Sequence, residues 1–391
     1  MHTDVAIVGG GPAGAWAARS LASRGARVTM FDPSHPREKP CGGGVTGRAL
    51  DLVGDAIDPA LCPRTTIRSA RFITTPVDHA GRARSDAVVA LDADALIVAS
   101  RAAFDAALVA AAQRAGATLA RARVRDVIVE ATGVRIETTS GTERADFVIG
   151  ADGANSLVRR RVMQPFDRGR LSIATGLFAH GVTSDEIAIE FIDHPPGYIW
   201  SFPRPDHLAI GICAPADAGH SGHALRARTA EWIARNHLAD GARLEPYSWP
   251  IPSLRTADFK SIEVAGDRWC LVGDAAGLVD PITREGIYFA LASAEWAAES
   301  LVGGRGSQSY PAHLRDGMIG ELAAAASLSA RFFQPRFTAL MIEALDESAR
   351  IRRVMADLIA GRQRYATLRW RLLTTLEFGL ALRALRSSGG L

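Results

Sequence analysis

Lysine is almost missing from these 391 residues: Lys39 and Lys260 are the two present, and arginine makes up the rest of the 45 basic side chains. Set against 42 acidic residues, they leave a formal charge of +3, too even a balance to read as a nucleic-acid footprint. Cysteine is also scarce. Cys41, Cys62, Cys213 and Cys270 form no CxxC pair and no metal-ligand spacing, which argues against a disulfide framework or a zinc site and fits a reducing cytoplasm. Although 48% of the chain is hydrophobic, no window of ~18 consecutive uncharged apolar residues occurs, so a membrane-spanning helix is not expected. No basic stretch or cleavage pattern precedes the first apolar run, so secretion is not expected.

The apolar runs that do occur are short and punctuated. Asp4 to Val8 reads as a strand, Ala15 to Arg24 as an alanine-rich helix, and Ala26 to Phe31 as a second buried strand. A loop rich in proline and glycine covers 33–44. Strands are expected over 67–75 and 87–99, and a helix over 101–116 with Phe104, Leu108 and Ala111 on one face. A hairpin around Thr132-Gly133 feeds a strand at Phe147 to Ile149. Strands return over 171–214, with 187–192 and 198–202 flanking His194-Pro195-Pro196-Gly197. A helix is expected at 224–236, extended chain to Glu263, a last buried strand at Trp269 to Val272, a long helix from near Gly286, and helices beyond Ser307.

Gly9-Gly10-Gly11-Pro12-Ala13-Gly14 places G-x-G-x-x-G between the first strand and helix. In such a turn Gly9 allows the tight bend, Gly11 lets backbone amides approach a pyrophosphate, and Gly14 allows close packing of helix on strand. The helix start at Pro12 and Ala13 then presents unpaired donors to the anion. Asp32 ends the second strand, 18 residues after Gly14, where an acidic side chain holds ribose hydroxyls. These features predict a dinucleotide but do not separate NAD from FAD. The glycine triplet occurs once, so a second, resident nicotinamide domain is not expected.

Two further segments follow strands: Ile149-Gly150-Ala151-Asp152-Gly153-Ala154-Asn155-Ser156 and Leu271-Val272-Gly273-Asp274-Ala275-Ala276-Gly277. With the first turn they resemble the three ordered fingerprints of the para-hydroxybenzoate hydroxylase-like flavoproteins, over most of residues 4–300. The resemblance implies FAD as cofactor, with Asp274 at the ribityl chain, Arg101 reaching the phosphate or ribityl region, and Val124 at the adenine. Gly286 and Ile287 open a helix whose amides would face the flavin N1/O2 edge, where negative charge gathers on reduction. The implied fold is α/β: a Rossmann-type FAD-binding domain (1–60, 100–160 and 262–306), an inserted β-rich substrate domain (61–99 and 161–261) and a C-terminal helical region (307–391).

Within that superfamily, Pro40-Cys41-Gly42-Gly43-Gly44-Val45, Tyr198-Ile199-Trp200-Ser201-Phe202-Pro203 and Glu285-Gly286-Ile287 resemble the geranylgeranyl reductase family. Arg284 departs from the glycine usual in that loop. The resemblance implies hydride transfer from reduced flavin to a carbon–carbon double bond of an isoprenoid or similar hydrophobic substrate, with a nearby acid protonating the other carbon. Cys41, in its glycine-rich loop, is the candidate proton donor or gate. Tyr198, Trp200 and Phe202 alternate along one strand and share a face suited to walling an apolar tunnel, and Pro281 is a further substrate contact. Transient NAD(P)H or a ferredoxin-type protein is the expected reductant. Phe332, Phe333 and Phe337 are expected at the far end of the cavity.

The motifs leave other chemistries open. An FAD monooxygenase acting on an aromatic or polyketide-like molecule would share the three fingerprints. A halogenase fits poorly, since it needs a lysine beside its halide tunnel and a W-x-W-x-I-P strand. A non-catalytic flavoprotein would lack a large cavity on the flavin face. The arginines and apolar residues of 350–386, Trp370 and Phe378 among them, are expected to cap the substrate domain or to rest on an anionic membrane from the cytoplasmic side.

Overall fold

The computed structural model describes residues 2–58, 62–73, 86–302 and 306–375. Residues 74 and 75 of the expected 67–75 strand, and Phe378 with the rest of 376–391, lie outside the described residues.

Three short apolar runs make the centre of the first sheet. His2–Val8 pairs in parallel with Val28–Phe31 on one side and with Gly141–Gly150 on the other. Their side chains, such as Ile7, Met30 and Ile149, are fully enclosed, as expected of parallel strands covered on both faces. Thr118–Ala120 extends the sheet beyond Val28–Phe31. The ten-residue strand Gly141–Gly150 serves two further neighbours along its other edge. Its first half pairs antiparallel with Gly133–Thr138, which pairs with Val124–Glu130, and its last three residues pair in parallel with Trp269–Leu271.

Helices Pro12–Ala22, Arg101–Arg114 and Ile287–Val302 pack beside this sheet. Alanine lets them approach closely: Ala15, Ala17 and Ala18 of the first, with Ala294, Ala297 and Ala298 of the last, are all at or near zero exposure. Ser100 caps the second helix, accepting the Ala103 amide at 3.3 Å. The first helix begins at Pro12, three residues before the alanine pattern starts, so its N-terminal turn lies inside the glycine motif.

The second sheet has seven strands in the order Arg243–Pro252, Leu171–His180, His207–Pro215, Pro196–Pro203, Glu186–Asp193, Ser69–Phe72, Ala87–Ala90. All neighbours are antiparallel except Ser69–Phe72 with Glu186–Asp193. Period-two alternation gives the sheet two distinct faces. Ile199, Ile210 and Ile212 pack under helix Gly222–Arg235, whose Trp232 is 1% exposed. Tyr198, Trp200, Phe202 and Cys213 look the other way.

A small sheet joins the two halves, with Gly44–Thr46 and Arg64–Thr66 flanking Leu96–Ala99. The extended stretch expected over 87–99 is therefore two strands, broken at 91–95, that serve different sheets. Thr256–Lys260, read as extended chain, is a short helix. Beyond Ser307 the described residues are helical. Ile342, Leu345 and Ala356, from helices Pro335–Glu347 and Ala349–Ile359, pack on Ala70, Phe72 and Val89 at the edge of the second sheet.

Candidate active site

One continuous cavity of about 790 Å3 runs from the glycine turn to the aromatic strand. Gly9, Gly11, Pro12 and Ala13 line it, together with Asp32, Arg101, Val124, Asp274, Gly286 and Ile287. The glycines are dictated by contact. Gly9 has φ +107°, and a Cβ there would stand 2.3 Å from the Ala151 carbonyl oxygen; one on Gly14 would stand 1.9 Å from that of Gly9. Gly14 thus holds helix against strand and is not itself on the cavity wall. No side chain caps the helix at Gly11, so its first amides are left for a ligand.

Asp32 is engaged on both carboxylate oxygens. Oδ2 accepts the Gly10 amide (2.9 Å) and lies 2.8 Å from His35 Nδ1, while Oδ1 accepts the amides of Ser34 (2.8 Å) and His35 (2.9 Å). Burial opposes its ionisation, but the His35 ring and these amides outweigh burial and hold the carboxyl below its ordinary range. His35 Nε2 lies 3.2 Å from Asp105 Oδ2, and Asp105 is gripped by Arg101 through Nε (2.9 Å) and Nη2 (2.8 Å). Burial works against a charged imidazole here too, yet the two carboxylates raise the His35 pKa. Asp32, His35, Asp105 and Arg101 therefore form a chain of alternating charge in the cavity wall, with Asp105 behind the lining.

The second and third motifs meet across the sheet ends. Asp152 accepts the Ser156 hydroxyl and the amides of Leu157 (2.6 Å) and Val158 (3.3 Å), capping helix Leu157–Val162. Burial exceeds the effect of these bonds and raises its carboxyl. From that helix Arg159 donates to the Ala275 carbonyl at 3.2 Å, and burial, with Arg170 nearby, brings its pKa down to about 10. Asp274 lies 3.3 Å from Lys39 Nζ, and Gly286 packs so closely that a Cβ on it would sit 3.2 Å from Asp274 Oδ1.

Tyr198, Trp200 and Phe202 all line the cavity. In register they oppose Cys213, Gly211 and Ala209. Gly211 makes room for the indole, since a Cβ there would approach Trp200 Cζ2 and Tyr247 Oη to 2.5 Å each. Tyr198 donates its hydroxyl to the Thr283 carbonyl (2.9 Å), and burial raises its pKa well above the usual phenol value. Cys41 is a half-buried free thiol on the cavity wall whose sulfur accepts the Gly43 amide at 3.3 Å. Its loop is clamped by the enclosed Arg204, which donates to the Cys41 carbonyl (2.5 Å) and pairs with Glu38. Gly42 and Gly44 lie flat against the Phe202 ring.

Two expectations need correction. Pro281 is buried but is not among the residues lining the cavity; its carbonyl accepts the Ser329 hydroxyl (3.3 Å), while Asp280 and Ile282 face inward. Of the three C-terminal phenylalanines Phe332 lines the cavity, Phe333 stacks behind it on Tyr198 with centroids 6.2 Å apart, and Phe337 is exposed.

Sequence reasoning missed several cavity residues. Cys213 was readable from the register opposite Tyr198. The Arg48–Glu285 ion pair, with Thr46 donating to Glu285 (2.7 Å), spans positions far apart in the chain with no motif around Arg48. The cavity residues Met355, Leu358, Ile359, Gln363 and Tyr365 of the C-terminal region also lack a motif. Among the described residues no cluster of His, Cys, Asp and Glu could hold a metal ion, and no helix is long and apolar enough to cross a membrane.

Residues 2–302 match the family model described as FAD binding domain. The geranylgeranyl diphosphate reductase of Rhodobacter capsulatus is 30% identical over 323 residues, covering 77% of this chain and 75% of that protein. The menaquinone reductase of Mycolicibacterium smegmatis is 26% identical and covers 86% of each chain. Across the geranylgeranyl diphosphate reductases it matches, the chain spans 66% to 76% of their length. The crystal structure of a geranylgeranyl bacteriochlorophyll reductase-like protein from Thermoplasma acidophilum superimposes with a TM-score of 0.77, at 23% identity, covering 95% of this chain and 99% of that one, a likeness of fold.

Proposed function

We infer that this chain, which belongs to the geranylgeranyl reductase family of FAD-dependent oxidoreductases, reduces carbon–carbon double bonds of an isoprenoid or similarly hydrophobic substrate. The observation that carries the reading is the cavity itself: one continuous space reaching from the glycine turn to the apolar face of Tyr198, Trp200 and Phe202.

The residues present fit FAD. Gly9 and Gly11 leave the backbone bare at the turn, the uncapped start of helix Pro12–Ala22 offers amides to a pyrophosphate, and Asp32 stands at the adenosine end with Val124. Asp274 would hold ribityl hydroxyls, and the amides of Gly286 and Ile287 would face the electron-rich edge of the ring. Arg101 would support the adenosine end, through Asp105 and His35 to Asp32. Reduced FAD, when bound, supplies a hydride. The protein's part is to position and to protonate. The aromatic strand holds an unactivated alkene, which offers no carbonyl to polarise, and excludes water around it. The Cys41 thiol holds the proton destined for the second alkene carbon.

On this reading the chain divides into three working parts. Residues 1–60, 100–160 and 262–306 hold the nucleotide, 61–99 and 161–261 wall the substrate, and 307–391 closes the far end. With one glycine turn in the sequence, the reductant arrives from outside as NAD(P)H or a ferredoxin-type donor.

The test is anaerobic. Photoreduced holoprotein mixed with geranylgeranyl diphosphate should regain its oxidised flavin absorbance and yield product heavier by two hydrogens per double bond reduced. Flavin that stays reduced until oxygen is admitted, with an oxygenated product, would replace this reading by monooxygenation.

A further inference from the structure

Among the described residues two that are not glycine adopt left-handed backbone, His237 and Arg284. The His237 side chain is 79% exposed, whereas Arg284, at φ +60°, lies on the wall of the cavity. A side chain in this conformation strains the backbone in a way that glycine avoids. The turn does not depend on the arginine side chain. The Asp280 carboxylate accepts the amides of Ile282 (2.7 Å) and Thr283 (3.0 Å), the Arg284 amide donates to the Asp280 carbonyl (3.0 Å), and Tyr198 fixes the Thr283 carbonyl (2.9 Å). What arginine adds at this position is its guanidinium.

That guanidinium is only partly satisfied. Nη1 donates to Ser253 Oγ (2.6 Å), and Nε is buried without a hydrogen-bond partner. Of the arginines on the cavity wall, Arg48 and Arg101 pair with Glu285 and Asp105; among the described residues no carboxylate forms an ion pair with Arg284, nor with Arg37, Arg123 or Arg160, and of these four Arg284 is the one with a buried side-chain nitrogen left without a partner. The Tyr198 ring and the Cys213 thiol of the substrate-facing sheet lie within electrostatic reach of it, and Trp200 and Ile251 line the same cavity. A cation kept in a largely apolar wall without a counter-charge is costly unless a ligand supplies one.

We propose that Arg284 is a specificity-determining residue that receives the oxyanion of the substrate, so that the alkene chain taken by this cavity ends in a carboxylate. The proposal rests on the hydrophobic-alkene reading above and narrows its substrate class. With Nη1 occupied by Ser253 and the Cys213 thiol beside the guanidinium, the orphaned Nε marks the Nε–Nη2 edge as the one open to a ligand. It is the same edge by which Arg101 holds Asp105 in this protein, at 2.9 and 2.8 Å. A planar carboxylate on that edge satisfies the orphaned donor with two charge-assisted bonds, which an alcohol does not. A diphosphate carries similar oxygens and is the rival source.

The experiment is a binding titration of FAD-loaded protein, read by the perturbed flavin spectrum and by calorimetry. Its probes are geranylgeranoic acid, geranylgeraniol and geranylgeranyl diphosphate, which share one chain. Wild type should bind the acid roughly tenfold or more tighter than the alcohol, and at least as tightly as the diphosphate. Arg284→Gly, which places the residue the turn favours, should keep the melting temperature and the affinity for the alcohol while losing the preference for the acid. Arg284→Lys should keep part of that preference. Equal affinity of wild type for acid and alcohol, or an acid preference surviving in Arg284→Gly, would overturn the role of Arg284 and leave the alkene reading standing. A diphosphate held far more tightly than the acid would overturn the carboxylate assignment. If none of the three compounds binds, the alkene reading fails and this proposal with it.

Discussion

At the scale of single residues, the account turns on side chains whose surroundings differ from those of a typical residue of their kind. Cys41 sits on a loop clamped by Arg204 and packed on Phe202, so its thiol is placed independently of the nucleotide. Cys41→Ala should therefore keep FAD while slowing alkene reduction by roughly 10²-fold; an unchanged steady-state rate would remove the thiol from the mechanism. His35 shows a different dependence. Its pKa is raised by Asp105 and Asp32, so the stability it contributes is complete below its unfolded value of about 6.5 and is lost as pH rises through the folded value. Asp32 and Asp105 are held low, so their contributions act above about pH 4 and vanish on acidification. The melting-temperature penalty of His35→Gln should accordingly be largest near pH 6 and shrink as pH rises through the raised folded value. A penalty that grows with pH would mean that the imidazole is neutral in the fold. Asp32 was legible because it ends a strand at the right distance from a glycine turn. His35 was not, because a lone histidine in a Pro/Gly-rich loop carries no periodicity, and its partner Asp105 lies 70 residues further on.

Elements were legible where backbone chemistry restricts the residue type. The glycine turn is one such place: contacts of 2.3 and 1.9 Å at Gly9 and Gly14 exclude any Cβ, and the motif is the trace of that exclusion. Gly14→Val should give protein without bound flavin, measured as the ratio of flavin to protein absorbance after reconstitution. The aromatic strand was legible through its alternation, and the turn to its partner sets the register that puts Cys213 opposite Tyr198. Gly211 was passed over because one glycine within a strand gives no signal until the indole facing it is known. Gly211→Val should cost about 1–3 kcal/mol in denaturant unfolding by overpacking against Trp200 and Tyr247. A loss near zero would show that the sheet yields there. Pro281 was misplaced for the opposite reason: the loop 280–286 is closed by its own hydrogen bonds, and within it Pro281 is the one residue that does not line the cavity.

On the scale of the whole molecule, sequence pattern showed which segments form the nucleotide half but not how the C-terminal helices close the other end. Phe332, Tyr365 and the trio Met355, Leu358 and Ile359 come from three helices with no shared motif, and only packing brings them together. Helix Tyr365–Leu373 leaves Trp370 63% and Leu373 56% exposed beside Arg369 and Arg371. A peripheral contact with anionic lipid follows as a proposal. Holoprotein should co-sediment with phosphatidylglycerol vesicles and not with phosphatidylcholine vesicles, and Trp370→Ala with Leu373→Ala should weaken the association; indifference to vesicle charge would remove it. The central claim is that stretches around 9–14, 152 and 274–287 converge on one FAD whose ring faces the aromatic strand. A crystal structure of the FAD-reconstituted protein tests it most directly. The account predicts the pyrophosphate at the glycine turn, the ribityl chain at Asp274 and the isoalloxazine facing Tyr198, Trp200 and Phe202; a nucleotide bound with its ring turned away from that strand, or remote from Asp274, would contradict it.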